Sequence, residues 1–313
     1  MIAIVGGLGA AILWAIATLA SSRSSRLIGS RVVLAWVMIV GAIVGLPIAL
    51  VSGVPTNVPP EAPVLLVVAG LAYSGGLYAA YRALTIGKVS IVAPIVATEG
   101  AIAAVVAVAL GDTLGLAAAA VLGIIAVGVV LSSIEPARPV VPLGDIELFA
   151  DALDGPADVL DATDLPILEP AAAARRTRQA VALSVIAAVV FAIGLVASGK
   201  AAVLVPPIWV ALSARVIGLV IVALPLVLQR RLVITRRALP LVVISGVGEI
   251  FGSALSAWGA TQSIAVVAVL GSQFAAIAAV LAYFLFGERL SRTQMIGVVL
   301  IVGGVTVLAA ISG

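Results

Sequence analysis

The sequence lacks two residue types. Its 313 residues include no cysteine and no histidine. Without cysteine the chain forms no disulfide, no thiol nucleophile and no cysteine-ligated metal site. Without histidine it has no imidazole proton relay, no histidine-ligated haem and few ways to bind zinc. These absences disfavour most metal-dependent and covalent enzymes, and we expect no catalytic residue, no metal site and no cofactor.

Charged side chains are also scarce. Asp, Glu, Lys and Arg make up 10% of the chain, whereas hydrophobic residues make up 63%. Soluble domains have about 25% charged and about 45–50% apolar residues. This composition predicts an integral membrane protein with nearly the whole chain in the lipid bilayer, and the long apolar runs of the chain predict an all-α fold. The net charge of +3 is spread over several loops, which is not the pattern of a nucleic-acid-binding protein.

Long apolar runs divide the sequence into ten predicted transmembrane helices of about 20 residues each. The first run has no basic region before it, so we expect a retained span and not a cleaved signal peptide. The predicted spans are 2–20, 32–52, 62–84, 89–110, 114–132, 179–198, 204–228, 239–260, 264–286 and 293–310. Most of the connections between them are short.

One connection, residues 133–178, is long and acidic. It contains nine of the fourteen Asp and Glu residues of the chain and is interrupted by prolines. Four aspartates at helical spacing are compatible with a short surface helix, but the calcium-loop pattern is absent. We therefore expect a solvent-exposed linker between two halves of the protein.

The two halves align at an offset of 176 residues. The aligned pairs are Gly70 with Gly246, Gly76 with Gly252, Gly111 with Gly287, Gly128 with Gly304 and, after a slip of one residue, Trp14 with Phe191. Chance alignment of glycine-rich and alanine-rich segments is the alternative. A repeated unit with an odd number of spans inserts in opposite orientations, as in many secondary transporters. We predict two inverted five-helix repeats, 1–132 and 179–313, joined by the linker 133–178.

The clearest motif lies in residues 266–310, where two apolar runs flank a short turn. The turn reads GERL at 287–290 and is followed by QMIG at 294–297 and GG at 303–304. Together with the ten spans and the duplicated unit, this resembles the EamA-like transporters of the drug/metabolite transporter superfamily. The resemblance covers nearly the whole chain outside the linker, and it implies a permease for small metabolites or drugs, commonly an exporter.

Three features depart from the family pattern. In the family's fourth span an acid is often followed by proline, whereas here Gly100 follows Glu99. In the ninth span Ser272-Gln273-Phe274 stands where the equivalent proline is expected. The third departure is the length of the acidic linker.

Charged residues deep in a membrane span are costly to bury and are therefore functional candidates. Glu99 and Glu249 lie midway along the fourth and eighth predicted spans. If transport is coupled to protons, these two acids must carry them, because the chain has no histidine. Arg215, midway in the seventh span, could pair with either acid or bind a substrate carboxylate. The alternative is that both acids are structural groups satisfied by hydrogen bonds or by an arginine.

Two further polar side chains complete the predicted substrate or coupling site. Tyr73 aligns with Glu249 at the 176-residue offset, so we expect the two to lie symmetrically about the transport path. Gln273 lies deep in the ninth span, where an amide needs a partner or a ligand. Weaker candidates for substrate contact are Arg82, Tyr78 and Trp36, and Arg82 could simply extend to the membrane surface.

The arginines indicate an orientation in the membrane. They concentrate in the first, fifth, seventh and ninth loops, whereas the alternate loops contain one lysine and no arginine. The positive-inside rule then predicts an inner-membrane protein with its odd-numbered loops and acidic linker in the cytoplasm and both termini outside. The family resemblance implies the opposite orientation, because relatives usually keep both termini in the cytoplasm.

The sequence therefore predicts a non-enzymatic transporter that moves a small molecule by alternating access, as a monomer or homodimer. One alternative is a lipid or lipid-linked sugar flippase, with Arg82, Lys88 and Lys200 at the head group. Another is a non-transporting membrane protein that binds a partner through its acidic linker. A membrane-embedded enzyme or an ATP-driven pump is disfavoured, because there is no glycine-rich nucleotide loop.

Overall fold

The computed structural model describes residues 1–86, 92, 95–113, 115–133, 170–274, 276–277, 281 and 292–312. These residues form helices and short connections and contain no strand, which agrees with the predicted all-α class. The predictions for Lys88, for the acidic residues at 134–169 and for the GERL turn at 287–290 lie outside the described residues.

The first half begins with three long helices and continues with two shorter ones. They are α1 (Ile2–Ile28), α2 (Ser30–Val51), α3 (Ala62–Ile86), α4 (Glu99–Ala109) and α5 (Leu116–Ser133). The chain reverses between α1 and α2 at Gly29, whose φ of 86° suits a residue without a Cβ.

In the second half, three consecutive helical segments form one uninterrupted span, residues 207–228. The helices of this half are α6 (Pro170–Ala202), α7 (Pro207–Gly218), a π-helical turn (Leu219–Ala223), α8 (Leu224–Leu228), α9 (Leu239–Ala260), α10 (Ile264–Gly271) and α11 (Arg292–Ser312). The π turn joins α7 directly to α8. Because α6 begins at Pro170, residues 170–178 are helical, although the sequence assigned them to the linker.

Within the described residues, six helices are long and apolar enough to cross a membrane. They are Ile2–Ser25, Ser30–Val51, Ala62–Ala83, Arg175–Ala202, Pro207–Leu228 and Leu239–Ala260. Shorter apolar helices occupy Ile95–Ala109, Leu116–Gly128 and Met295–Gly304. The shorter helices fall within predicted spans 89–110, 114–132 and 293–310.

Helices of the two halves pack against each other throughout the bundle. The most extensive contacts join α1 to α9 and α3 to α6, while α4 packs on α10 and α5 on α11. Two glycines allow the close approach of aromatic rings. A Cβ at Gly76 would lie 2.7 Å from Phe191 Cδ1, and a Cβ at Gly252 would lie 2.7 Å from Trp14 Nε1. Small residues thus set the helix spacing, as is usual in lipid.

The helix order places the connections at two ends of the bundle. We call one of them the terminal end, because α1 begins there. At this end Trp209 Nε1 donates to Gly53 O at 2.9 Å, and Ala3 N donates to Gln262 Oε1 at 2.8 Å. The opposite end we call the arginine end. Its exposed arginines are Arg23, Arg31, Arg82, Arg175, Arg176, Arg178, Arg230, Arg231, Arg236, Arg237 and Arg292.

Candidate functional site

A buried polar cluster lies where α3, α7 and α9 meet. Arg215 on α7 is fully buried, and Glu249 on α9 is 5% exposed. Arg215 Nη2 donates to Glu249 O at 2.6 Å and to Ser253 Oγ at 2.8 Å. The Tyr73 hydroxyl on α3 donates to Glu249 Oε2. We call Tyr73, Arg215, Glu249 and Ser253 the central cluster.

Tyr73 contacts both charged residues of the central cluster. Its hydroxyl accepts a hydrogen bond from Arg215 Nη2 at 3.3 Å, and Arg215 Cζ lies 4.5 Å from the centre of its ring. A cation above an aromatic face is attracted by the ring electrons. Phe191 packs edge-on against the same ring, with 6.3 Å between centroids. Tyr73 is therefore held between the arginine and a neighbouring aromatic side chain.

The stem of Arg215 occupies space left by a glycine. A Cβ at Gly41 on α2 would lie 2.9 Å from Arg215 Cδ and 3.0 Å from its Nε. The π turn Leu219–Ala223 begins one helical turn after Arg215. Such π turns inside α-helices are frequent at functional sites. The local fold thus combines a close helix contact with an irregular helix at the arginine.

The central cluster and its surroundings contain polar atoms without partners. Arg215 Nε and Nη1 make no hydrogen bond to any described residue. Ser74, which is 1% exposed, also has a hydroxyl oxygen without a partner among the described residues. This oxygen lies beside α7, because a Cβ added at Gly218 would be 3.1 Å from it. A buried polar group without a partner is costly, so these atoms are candidates for contact with a ligand.

Glu99 and Gln273 lie outside the central cluster, at interruptions of two packed helices. Thr98 forms a turn just before α4, and Ser272 and Gln273 form one just after α10. Glu99 and Gln273 are 6% and 1% exposed, and neither Glu99 Oε2 nor Gln273 Nε2 has a partner within the described segments. Irregular backbone at membrane depth is tolerated where it is buried in protein or lines a cavity.

The three weaker candidates lie towards the arginine end and do not join the central cluster. Trp36 Nε1 donates to Val233 O at 2.9 Å. Arg31 Cζ lies 5.7 Å from the centre of the Tyr78 ring. Arg82 is exposed near the end of α3. For Trp36 and Tyr78, these contacts tie the helix ends to neighbouring segments.

Sequence reasoning named no serine as a candidate site residue, yet serines join several helices. Ser253 bonds Arg215 in the central cluster. Nearer the arginine end, the Tyr81 hydroxyl donates to Ser21 Oγ at 3.1 Å, and Ser21 Oγ donates to Ser245 Oγ at 3.0 Å. One signal was available for Ser253, because it follows Glu249 by four residues and therefore lies on the same helix face.

Asp112 joins the two halves at the terminal end. Its Oδ2 accepts from Ala265 N at 2.9 Å and from Ser263 Oγ at 3.2 Å. Ala265 lies in the first turn of α10, where backbone N–H groups have no partner inside the helix and negative charge is favoured. Asp112 lies between the predicted spans 89–110 and 114–132, so the sequence placed it only in a connection.

These features define a polytopic membrane protein with a charged interior. The model of the EamA-like transporter family matches residues 1–134 and 178–310. The chain therefore belongs to the EamA-like transporter family, a family of membrane transporters consistent with the drug/metabolite transporter superfamily.

A solved structure described only as "Crystal structure of protein" is similar over nearly its entire length. The TM-score is 0.72 at 20% sequence identity, and the alignment covers 99% of this chain and 96% of that chain. At this level of identity the likeness concerns the fold alone. None of the curated proteins compared with the chain matches it in sequence.

Proposed function

We propose that the protein is a secondary transporter that exports small metabolites or drugs by alternating access. The observation that carries this proposal is the central cluster. Arg215 is fully buried, and Glu249 nearly so, at the contact between α3 and the helices α7 and α9. Desolvating a charge in a protein costs several kcal/mol. Ionisable residues inside a membrane protein commonly mark the path of a substrate or an ion.

An inverted repeat would give such a path its two alternating openings. Units 1–132 and 179–313 are supported by the two segments that match the family, 1–134 and 178–310. They are also supported by the packing. In the proposed repeat, α1 corresponds to α6, and α3 corresponds to α9. The contact between α1 and α9 therefore corresponds to the contact between α6 and α3, and both are observed.

Individual contacts follow the same relation. Gly76 packs on Phe191 as Gly252 packs on Trp14. Likewise Gly218 packs on Met38, where a Cβ would lie 2.5 Å from the sulfur, as Gly41 packs on Arg215. In this arrangement Met38 is the counterpart of Arg215. At this pair of positions the charge is therefore present in one half only, and the other half has a neutral, unbranched side chain.

We place the protein in the inner membrane with its arginine end in the cytoplasm. The support is the concentration of exposed arginines at that end of the bundle, because cytoplasmic loops carry an excess of basic residues. Direction of transport rests on the resemblance to exporters. A monomer or homodimer and proton coupling through Glu99 or Glu249 belong to the same proposal.

Reconstitution tests the proposal without requiring that the substrate be identified first. Proteoliposomes are incubated with a uniformly ¹³C-labelled extract of cell metabolites, and their contents are analysed by mass spectrometry. We expect a restricted set of labelled compounds above protein-free liposomes. Glu249→Gln should reduce this uptake about tenfold or more, since hydrogen bonds to charged groups contribute about 1.5–3 kcal/mol.

Glu61→Gln is the matched control, because Glu61 is exposed in the α2–α3 connection. It should accumulate the same compounds as the unmodified protein. Monodisperse elution of each variant shows that it is folded. Equal uptake by Glu249→Gln and the unmodified protein, or no labelled compound above background, would contradict the proposal.

A further inference from the structure

We propose that Arg215 binds the carboxylate of a monoanionic substrate with an apolar body, and that this carboxylate replaces the Glu249 side chain once a proton binds to Glu249. This inference rests on the proposed transport function and names the substrate class of the same site. It assigns separate roles to the two charged residues of the central cluster. Arg215 holds the substrate, and Glu249 links its binding to a proton.

Arg215 is positioned by neutral groups. Its Nη2 is held by Glu249 O at 2.6 Å, by Ser253 Oγ at 2.8 Å and by the Tyr73 hydroxyl at 3.3 Å. The carboxylate oxygen Glu249 Oε2 lies 4.0 Å away, beyond a direct hydrogen bond. Loss of the negative charge would therefore leave the guanidinium in place, because no direct bond to this oxygen fixes its orientation.

The guanidinium also has donors to spare. Arginine carries five N–H groups, and Nε and Nη1 have no partner among the described residues. Planar carboxylates match the fork of a guanidinium, and hydrogen bonds between two charged groups are about twice as strong as neutral ones. Ser74 follows Tyr73 in the sequence, and its buried hydroxyl also has no partner among the described residues. Arg215 can thus supply more than one donor to a carboxylate through Nε and Nη1.

Charge balance favours a substrate with a single negative charge. When Glu249 is ionised, it forms a neutral pair with Arg215. When a proton neutralises Glu249, one carboxylate on Arg215 restores the same net charge. A dianion such as a phosphate monoester would leave an uncompensated charge in a buried site, which is costly. Proton and monocarboxylate therefore bind together.

The neighbouring side chains suit an apolar body. Phe191 packs edge-on against Tyr73, and the Trp14 ring lies against Gly252, one helical turn beyond Glu249. Both rings are half-buried, whereas Arg215 is fully buried. A substrate with its carboxylate at Arg215 would place its remaining atoms near these rings.

Few other titratable groups face Glu249. Tyr73 on α3 and Arg215 on α7 contact it, and Tyr81 on α3 is bonded to Ser21. Helix α10 has no titratable residue. The remaining charged residues described on α1, α2, α3 and α6 lie towards helix ends; they are Arg23, Arg31, Arg82, Arg175, Arg176, Arg178 and Lys200. Glu249 is therefore the acid at this site on which the proposal depends.

Calorimetry on the purified full-length protein tests the inference. The probes are benzoate, phenylacetate and hexanoate, each compared with its neutral amide. At least one carboxylate should bind about tenfold tighter than its amide or better, since charged hydrogen bonds contribute about 1.5–3 kcal/mol. Titration in two buffers with different ionisation enthalpies should show uptake of about one proton per carboxylate bound.

Two variants separate the roles of the charged residues. Glu249→Gln should still bind the carboxylate but without proton uptake, because glutamine resembles the protonated acid. The double variant R215M/E249Q should bind it about 10–100-fold more weakly. Its methionine copies Met38, so the neutral pair is compatible with folding. Arg236→Met, at an exposed site on the arginine end, is the control and should bind as the unmodified protein does.

The outcomes distinguish this inference from the proposed function. Carboxylates that bind no better than their amides, binding without proton uptake, or full binding by R215M/E249Q would overturn the inference. If the double variant does not fold, the proton count of the unmodified protein and of Glu249→Gln still decides. Transport of labelled metabolites without carboxylate binding would remove only the inference. Carboxylate binding with proton uptake but without transport would remove only the proposed function.

Discussion

At the scale of single residues, Arg215 is costly to bury. It is fully buried in a span of apolar residues, with one of its three nitrogens bonded to described groups. Charges of this kind are rare in membrane spans and are kept where they have a role. Tyr73 reduces the cost by contacting the guanidinium and bonding the opposing carboxylate.

The first prediction concerns the hydroxyl of Tyr73. Tyr73→Phe keeps the ring over Arg215 but removes the group that bonds both Arg215 and Glu249. We expect unfolding free energy to fall by about 1.5–3 kcal/mol, and uptake in proteoliposomes to fall about tenfold. Denaturant unfolding in detergent and the labelled-extract assay measure the two effects.

Tyr78→Phe is the matched comparison, since Tyr78 lies near Arg31, apart from the central cluster. It should resemble the unmodified protein in both measurements. Equal losses in the two variants would mean that the Tyr73 hydroxyl has no special role.

The second prediction concerns the glycine beside Arg215. In Gly41→Ala the new Cβ would lie 2.9 Å from Arg215 Cδ, so the arginine stem must move. Overpacking of this kind costs about 1–3 kcal/mol. The control is Gly123→Ala on α5, where no described atom lies within 4 Å of the added Cβ. Thermal unfolding should separate the two variants, and equal midpoints would contradict the packing described here.

Much of the central cluster could be predicted from sequence, for identifiable reasons. Arg215 and Glu249 are visible because a charge contrasts with an apolar run. Tyr73 could be associated with Glu249 because the two are 176 positions apart, which is also the offset of the repeat. Ser253 shares a helix face with Glu249, but its bond to Arg215 could not be predicted, because that bond depends on how the neighbouring helix packs.

At the scale of elements, the sequence did not predict the helix breaks just before α4 and just after α10. The sequence predicted continuous spans at 89–110 and 264–286. At both interruptions a hydroxyl bonds a carbonyl three residues earlier, Thr98 Oγ1 to Ile95 O at 2.6 Å and Ser272 Oγ to Val269 O at 2.9 Å. Such side chains compete with helical hydrogen bonds. Apolar periodicity does not reveal this local competition, so the positions of Glu99 and Gln273 at helix breaks could not be predicted.

The third prediction concerns the contact of Asp112 with α10. Asp112→Ala removes the acceptor for Ala265 N and Ser263 Oγ, and losses of this type at a helix start cost about 0.5–2 kcal/mol. Asp112→Asn keeps an acceptor and should cost less, because only the interaction of charge with the helix dipole is lost. Glu61→Ala, in the α2–α3 connection, should leave the unfolding midpoint unchanged. A destabilisation by Asp112→Asn as large as that by Asp112→Ala would assign the effect to charge alone.

At the scale of the whole molecule, composition was enough to predict a membrane protein, because a chain with 10% charged residues has little polar surface to expose to water. The length of the apolar runs was enough to predict helices. The pairing of α1 with α9 and of α3 with α6 was not accessible in the same way. Helix pairing in lipid depends on the fit of small residues against particular partners, such as Gly76 against Phe191.

The fourth prediction concerns the orientation of the bundle. The chain has no cysteine, so single cysteines can be added without removing others. Thr56 is exposed at the terminal end and Gln229 at the arginine end. With an impermeant thiol reagent, Thr56→Cys should be labelled on intact cells and Gln229→Cys only after permeabilisation. The reverse result would place the termini in the cytoplasm, as the family resemblance implied.

The burial of Arg215 also constrains how the protein is made. Its backbone partner, Glu249, follows it by 34 positions, whereas Tyr73 precedes it by 142. When α7 leaves the ribosome, Tyr73 is already in the membrane but α9 is not, and an arginine at the centre of an inserting helix costs about 2.5–3.5 kcal/mol. The cost of this arginine is therefore offset by Glu249 and Ser253 only when α9 arrives, and a nascent chain that stops before Glu249 would keep Arg215 without these partners.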